Sequence, residues 1–168
     1  VFMSGSSSNT IGNQSHFNLI SSNSIAGILI ENSPSNTFKN NYLGTDLTGD
    51  VIYAGSGNAV GVIFKNSNSN LFGGNNTIDE ENIICNSAAQ GIYLENSDLN
   101  EIYGNHIGIN KNGSLYLGNA QQGIYLESGS DNNTIGSPIV GLSNSIAANS
   151  IGIYIKYSSS NTIASNKI

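Results

Sequence analysis

The side chains in this chain that carry acid–base, nucleophilic or metal chemistry are few and scattered. Its 168 residues include eleven Asp and Glu, five Lys, no Arg, two His, one Cys and one Met. The densest cluster is Asp79-Glu80-Glu81. Three adjacent carboxylates hold a hard cation such as Ca²⁺ when backbone oxygens complete the shell; otherwise such a run is a solvated loop. We therefore expect no cofactor, with Ca²⁺ at this triplet as the one candidate, and assign no metal ligands. Asp46 and Asp50 share one stretch, but glycoside hydrolysis needs carboxylates converging from two sides, and nothing in the spacing supplies the partner. His16 and His106 fall in different segments, and no spacing sets a carboxylate or nucleophile beside either for proton transfer. Cys85 has no partner for an intrachain disulfide, and its small apolar neighbours point to a buried, inert thiol. No catalytic residue is assigned.

The elements that must position these residues form a repeat. Gly27-Ile28-Leu29-Ile30-Glu31-Asn32-Ser33 recurs at Gly61, Gly91, Gly123 and Gly152, in steps of 34, 30, 32 and 29 residues. Such a period is that of a solenoid. A second fixed point is an Asn two residues before a large apolar residue, at Asn9, Asn36, Asn70, Asn100, Asn133 and Asn161. A third is an Asn-x-Ile type strand at Asn18, Asn41, Asn105, Asn144 and Asn166, with Asn82-Ile83-Ile84 read as one residue out of step. Ser- and Asn-rich turn formers separate the three. Apolar residues alternate within each strand, as one buried face demands. The expected fold is all-β: a parallel β-helix with three short strands per rung, about 30 residues per rung and five to six rungs, spanning residues 1–168 as one domain. Rungs are expected to alternate between a compact Gly-rich connection, as at Phe72-Gly73-Gly74 and Ile135-Gly136-Ser137, and a longer excursion, as at Leu43-Gly44-Thr45-Asp46 and Ile107-Gly108-Ile109-Asn110.

In such a fold equivalent positions stack into columns. Ile28, Val62, Ile92, Ile124 and Ile153, with Ile30, Phe64, Leu94, Leu126 and Ile155, should fill the core, each burial contributing about 1.5–3 kcal/mol. The first Asn of each rung should stack into an amide ladder. Next to the core an outward column of Phe2, Leu29, Ile63, Tyr93, Tyr125 and Tyr154 is the most suggestive surface. A stripe of this kind serves a protein contact or a glycan, and also forms by ordinary cross-strand stacking. Beyond it Glu31, Lys65, Glu95, Glu127 and Lys156 line up, so that opposite charges should pair while Glu95 and Glu127 should repel.

These residues resemble a family. Asn-Thr-Ile, Gly-Asn-x-Ile-Gly and Gly-Ile-Tyr-Leu-Glu-Asn-Ser are similar to the right-handed parallel β-helix repeats of the pectin lyase-like superfamily, in the Asn- and Gly-rich form found in large extracellular proteins. The resemblance covers nearly the whole chain. It implies the fold and an extracellular or cell-surface location, but not an activity, because one fold hosts many functions. Lyases of this kind use Arg or Lys beside carboxylate-bound Ca²⁺; here Arg is missing and Lys39, Lys65, Lys111, Lys156 and Lys167 are dispersed.

The remaining numbers bound the partners. A net charge of −6 argues against nucleic acid, which selects a basic stripe, and no apolar run is long enough to span a membrane. The sequence starts one residue inside a Gly-led strand and stops in a third strand, with no evident cap. Open strand edges are templates for further pairing, so Val1, Phe2 and Met3 and, at the other end, Asn166, Lys167 and Ile168 are expected either to join further repeats or to meet another copy end to end. The expected function is a non-enzymatic structural shaft, filament or adhesin; the alternative is a polysaccharide-binding or lyase- or epimerase-like module.

Overall fold

The computed structural model describes residues 1–74, 79–139 and 141–168. Three parallel sheets wrap around one core. The first contains Phe2–Ser4, Ala26–Glu31, Val60–Lys65, Ile92–Glu95, Gln122–Glu127 and Ile151–Lys156. The second contains Thr10–Ile11, Thr37–Phe38, Leu71–Gly73, Glu101–Tyr103, Thr134–Ile135 and Thr162–Ile163. The third contains Asn18–Ile20, Asn41–Leu43, Ile83–Ile84, His106–Ile107 and Ser145–Ile146. Every strand inside a sheet pairs in parallel with its equivalents one turn earlier and one turn later, and the end strands of each sheet with one of them. The chain is a β-solenoid of about five turns, as the repeat predicts.

The leading glycine of each repeat is set by the approach of the next rung. A Cβ on Gly61 would lie 2.4 Å from the carbonyl oxygen of Gly91, and one on Gly91 would lie 2.7 Å from that of Gly123. Ile28, Val62, Ile92 and Ile124 follow it inward and are fully buried, as are Ile30, Phe64, Leu94 and Leu126. Phe38, Phe64 and Phe72 meet in the core with ring centroids 5.7–6.1 Å apart.

Corners are where a parallel ladder fails, since the turning backbone cannot pair regularly with the rung beside it. Asn and Ser fill this gap. At the entry to the second sheet the backbone N–H and side-chain N–H of each Asn both donate to the Oδ1 of the Asn one rung on: Asn36 to Asn70 at 2.8 and 3.2 Å, Asn70 to Asn100 at 2.9 and 3.1 Å, Asn100 to Asn133 at 2.8 and 3.1 Å. The sequence reading foresaw this ladder and missed three others. Asn18, Asn41, Asn82, Asn105, Asn144 and Asn166 form a second. Asn23 with Asn58, and Asn119 with Asn149, form a third. Ser33, Ser67, Ser97, Ser130 and Ser158 form a fourth through backbone N–H to Oγ bonds. The corners also require left-handed backbone, as at Asn32, Asn66 and Asn96, with φ of 49°, 49° and 48°. Asn tolerates this conformation better than most side chains.

Two expectations are corrected. Asn82 is in register, because Ile83 pairs with Tyr42 and His106, and Ile84 with Leu43 and Ile107. The Gly-rich connections are also not the compact ones. The chain passes directly from Phe38 to Asn41 and from Ile102 to Asn105, whereas longer segments separate Leu71–Gly73 from Ile83–Ile84 and Thr134–Ile135 from Ser145–Ile146. Rungs do alternate, but by moving the long loop from one corner to the next: residues 44–58 and 108–118 leave from the corner after the third sheet. The intervening loop had disguised the register of Asn82.

Two substitutions test this reading. Asn105 is fully buried and bonds Asn82, Phe72 and Asn144, so Asn105→Ala should lower unfolding stability by about 3 kcal/mol through orphaned buried groups. Ser87 interrupts the third ladder, and its buried Oγ has no hydrogen-bond partner among the described residues. Ser87→Ala should raise stability by about 1 kcal/mol. Urea denaturation midpoints check both.

Candidate functional site

Strand alternation and rung register together build the outward column on the first sheet. Phe2 pairs with Leu29, Leu29 with Ile63, Ile63 with Tyr93, Tyr93 with Tyr125 and Tyr125 with Tyr154. All lie on one exposed face; Leu29, Ile63, Tyr93 and Tyr125 are half-buried, and Phe2 and Tyr154 are exposed. The tyrosine rings follow one another along the column: Tyr125 and Tyr154 are stacked with centroids 5.0 Å apart, and Tyr93 and Tyr125 are tilted by 32° with centroids 5.4 Å apart. These distances are close to the spacing of the strands that carry them, so Tyr125 and Tyr154 cover part of each other's faces.

The charged column beside it departs from expectation. Lys65 does pair with Glu95, at 3.7 Å. Glu127, placed level with Glu95 by the register, does not simply repel it: its carboxylate accepts the hydroxyls of both Tyr93 and Tyr125. The bond from Tyr125, then that from Tyr93, holds Glu127 below the usual carboxylate range. In return the bond to Glu127 pushes the Tyr125 phenol up to about 12. The Tyr93 phenol is raised too, first by burial and then by Glu127. The signal was present in the sequence, because residues two apart on a strand share a face and Tyr125-x-Glu127 has that spacing.

The acidic triplet sits in the loop between the second and third sheets. Glu80 pairs with Lys39 at 2.9 Å, and Asp79 pairs with Lys111 at 3.1 Å. Lys111 also reaches the Tyr42 hydroxyl at 2.6 Å, and Tyr42 stacks on Phe17 with ring centroids 4.8 Å apart. The two lysines tie one loop to the rung before it and to the rung after it. Sequence reasoning missed both, because they lie 41 and 32 residues from their partners. Asp50 bonds Asn110 and Asn112 of the next excursion at 2.8 and 2.7 Å. Asp46 accepts N–H groups of its own turn, from Thr48, Asp50 and Val51. The Asn-x-Thr glycosylation sequon that the sequence carries at Asn75-Asn76-Thr77 lies outside the described residues.

The metal-ligating and nucleophilic side chains stay apart. Cys85 is fully buried, its Sγ 3.3 Å from the Ile109 carbonyl, and burial pushes its thiol up to about 12. Met3 belongs to the core. His16 lies in a loop before the third sheet, with its backbone paired to Asn13. His106 is half-buried on the outer face of that sheet, with Nδ1 2.7 Å from the Asn110 carbonyl. A carbonyl only accepts, so Nδ1 carries the proton and Nε2 is the free nitrogen. A groove of ≈ 500 Å³ beside it is also lined by Glu81, Ser145 and Lys167. Among the described residues no three His, Cys, Asp or Glu side chains are grouped to hold a metal ion, and no helix is long and apolar enough to cross a membrane. Of the residues expected at the ends, the Val1 ammonium donates to the Gly27 carbonyl at 2.7 Å, Asn166 joins the second Asn ladder, Lys167 bridges Ser145 and Ile168 is exposed.

The Glu127 cluster makes a pH-dependent contribution of known sign. A carboxylate whose folded pKa is lowered stabilises the fold at neutral pH, and this contribution disappears as pH falls through the folded value. A phenol whose folded pKa is raised stabilises below its ordinary value and loses that contribution as pH rises through the folded one. Glu127→Gln should therefore bring the Tyr125 ionisation down from about 12 toward the ordinary 10, read by ultraviolet spectrophotometric titration of the folded protein.

Comparison with curated proteins and with solved structures yields no match. A family model does match, over residues 1–168, and its description is periplasmic copper-binding protein (NosD). A periplasmic family is consistent with the extracellular or cell-surface location expected from the sequence. With a match that spans every residue and a stacked parallel architecture to accompany it, the chain belongs to the NosD family.

Proposed function

We propose that this chain is a non-catalytic scaffold outside the cytoplasm, a stiff shaft of stacked rungs that sets the spacing or presentation of whatever it joins. One observation carries the reading: several of the carboxylates that acid–base chemistry could use are instead engaged in holding rungs and loops together. Glu127 is bonded to two tyrosines, Glu80 to Lys39, Asp79 to Lys111 and Asp50 to Asn110. General acid–base catalysis instead needs groups free to exchange a proton with substrate and converging on one point. A shaft of this kind lengthens by adding rungs, and the proposal extends to end-to-end contact with another copy or with further rungs of the same polypeptide.

The second reading is a polysaccharide-binding or polysaccharide-processing module, and the outward tyrosines favour it. The stacking of Tyr125 on Tyr154 weakens it, since a sugar ring packs on an aromatic face and these two rings occupy one another's faces.

Incubation with uronate-containing and neutral polysaccharides, followed by reducing-end and unsaturated-product assays, should show no depolymerisation; turnover abolished by His106→Gln would overturn the scaffold reading. A glycan-array hit lost in Tyr93→Ala with Tyr125→Ala would establish the second reading. Electron micrographs of the purified chain should show rods whose growth stops when residues 1–4 are removed; dispersed single particles at high concentration would remove the end-to-end extension.

The family description names copper. The donors available in this chain do not fit it: one thiol and one thioether are buried in the body of the solenoid, and two imidazoles stand on separate rungs.

A further inference from the structure

We infer that the rungs of this chain form a copper-free part of the architecture, despite the description of the family. Donor chemistry and donor position both disfavour copper. Copper(I) selects soft sulfur ligands, and copper(II) selects a tetragonal set of nitrogen and oxygen donors. The chain contains one Cys and one Met to serve the first, and two His to lead the second. These counts cover the whole sequence.

The sulfur donors cannot meet. Met3 lies in the main core, under the first sheet, packed with the stacked aliphatic and aromatic columns. Cys85 belongs to a separate cluster with Tyr42 and Ile83. Metal binding requires the thiolate, and burial keeps this thiol protonated far above neutral pH. Bringing copper to Cys85 would also mean opening the stack between the Leu43 and Leu117 segments, because the Cys85 N–H donates to Leu43 and the Asn86 N–H to Leu117.

The nitrogen donors cannot meet either. His106 lies three strands along the third sheet from the strand that follows His16, roughly 14 Å at the usual strand spacing. His106 Nδ1 is already bonded to Asn110. That leaves one imidazole nitrogen facing a groove whose other charged groups are a carboxylate, Glu81, and an ammonium, Lys167. One nitrogen, one carboxylate and a repelling cation fall short of the four in-plane donors that copper(II) prefers. Inward positions offer no alternative, because rung stacking requires them to be aliphatic, aromatic or ladder Asn and Ser. A copper site in a protein built from such rungs must therefore be assembled from side chains outside the 168 residues described by this sequence.

The inference is independent of the scaffold reading and is tested without an activity assay. The purified chain is loaded with copper(I) under anaerobic conditions, and separately with copper(II), then desalted and analysed for bound metal by mass spectrometry. Fewer than about 0.1 copper per chain should remain in either state, and neither metal should shift the thermal midpoint. Any greater retention overturns the inference. His106→Gln and Cys85→Ser then identify which donor was misjudged, with Lys65→Gln as a control distant from both.

Discussion

Everything in this molecule depends on the amide of one Asn meeting the amide of the Asn one rung away. A parallel stack satisfies its own backbone along straight strands and leaves it unsatisfied at corners. Two N–H groups of each Asn converge on a single side-chain oxygen above, and in the second ladder the same amide also reaches a backbone carbonyl of the preceding rung, as Asn105 does with Phe72. The corner then becomes as continuous as the strand. Buried amides of this type are costly when half-satisfied, so the ladder enforces register as well as cohesion. A slip of one residue would carry an amide into the aliphatic columns and leave its former partners unpaired.

The low charge of the chain follows from the same constraint. Inward positions are closed to charge by the core, and corners are occupied by neutral Asn, Ser and Gly. Charge is confined to outward strand positions and loops. There it is used to fasten rungs to loops: Lys39 and Lys111 bind the loop between Phe72 and Asn82 from the rung on each side. Partly exposed pairs contribute modestly one at a time, and their effect here is to hold Asp79 and Glu80 between two rungs. The Tyr93–Glu127–Tyr125 cluster is the outward counterpart, joining two rungs through a carboxylate. A fold that directs its ionisable groups to these tasks suits a load-bearing or spacing role better than turnover.

The alternation of long loops has a steric reason. Two large excursions on successive rungs at one corner would compete for the same surface, about one strand spacing apart. Moving them to different corners on odd and even rungs leaves room for each. The excursions starting at Gly44 and Gly108, two rungs apart, still touch through Asp50, Asn110 and Asn112. The repeat is therefore a pair of rungs, and its loops leave from two different corners, joined where Lys111 of one excursion pairs with Asp79.

The sequence by itself determined the rung: its length, its three strands, the inward columns and the first Asn ladder. Each of these is fixed by local chemistry that recurs, namely a glycine where the next rung crowds the backbone, Asn where the backbone turns left-handed, and apolar residues at every second strand position. The outward tyrosine column was equally legible, since it requires only alternation and a constant start. Tertiary structure decided what depends on which rungs become neighbours and where loops of unequal length are inserted. That Asn82 stands in line, that Glu127 also takes the hydroxyl of Tyr93 from the rung before, and that Lys111 reaches Tyr42 from 69 residues away could not be counted along the chain. Such pairings join residues whose sequence separation changes with every loop, while their separation in space is set by the stacking of the rungs.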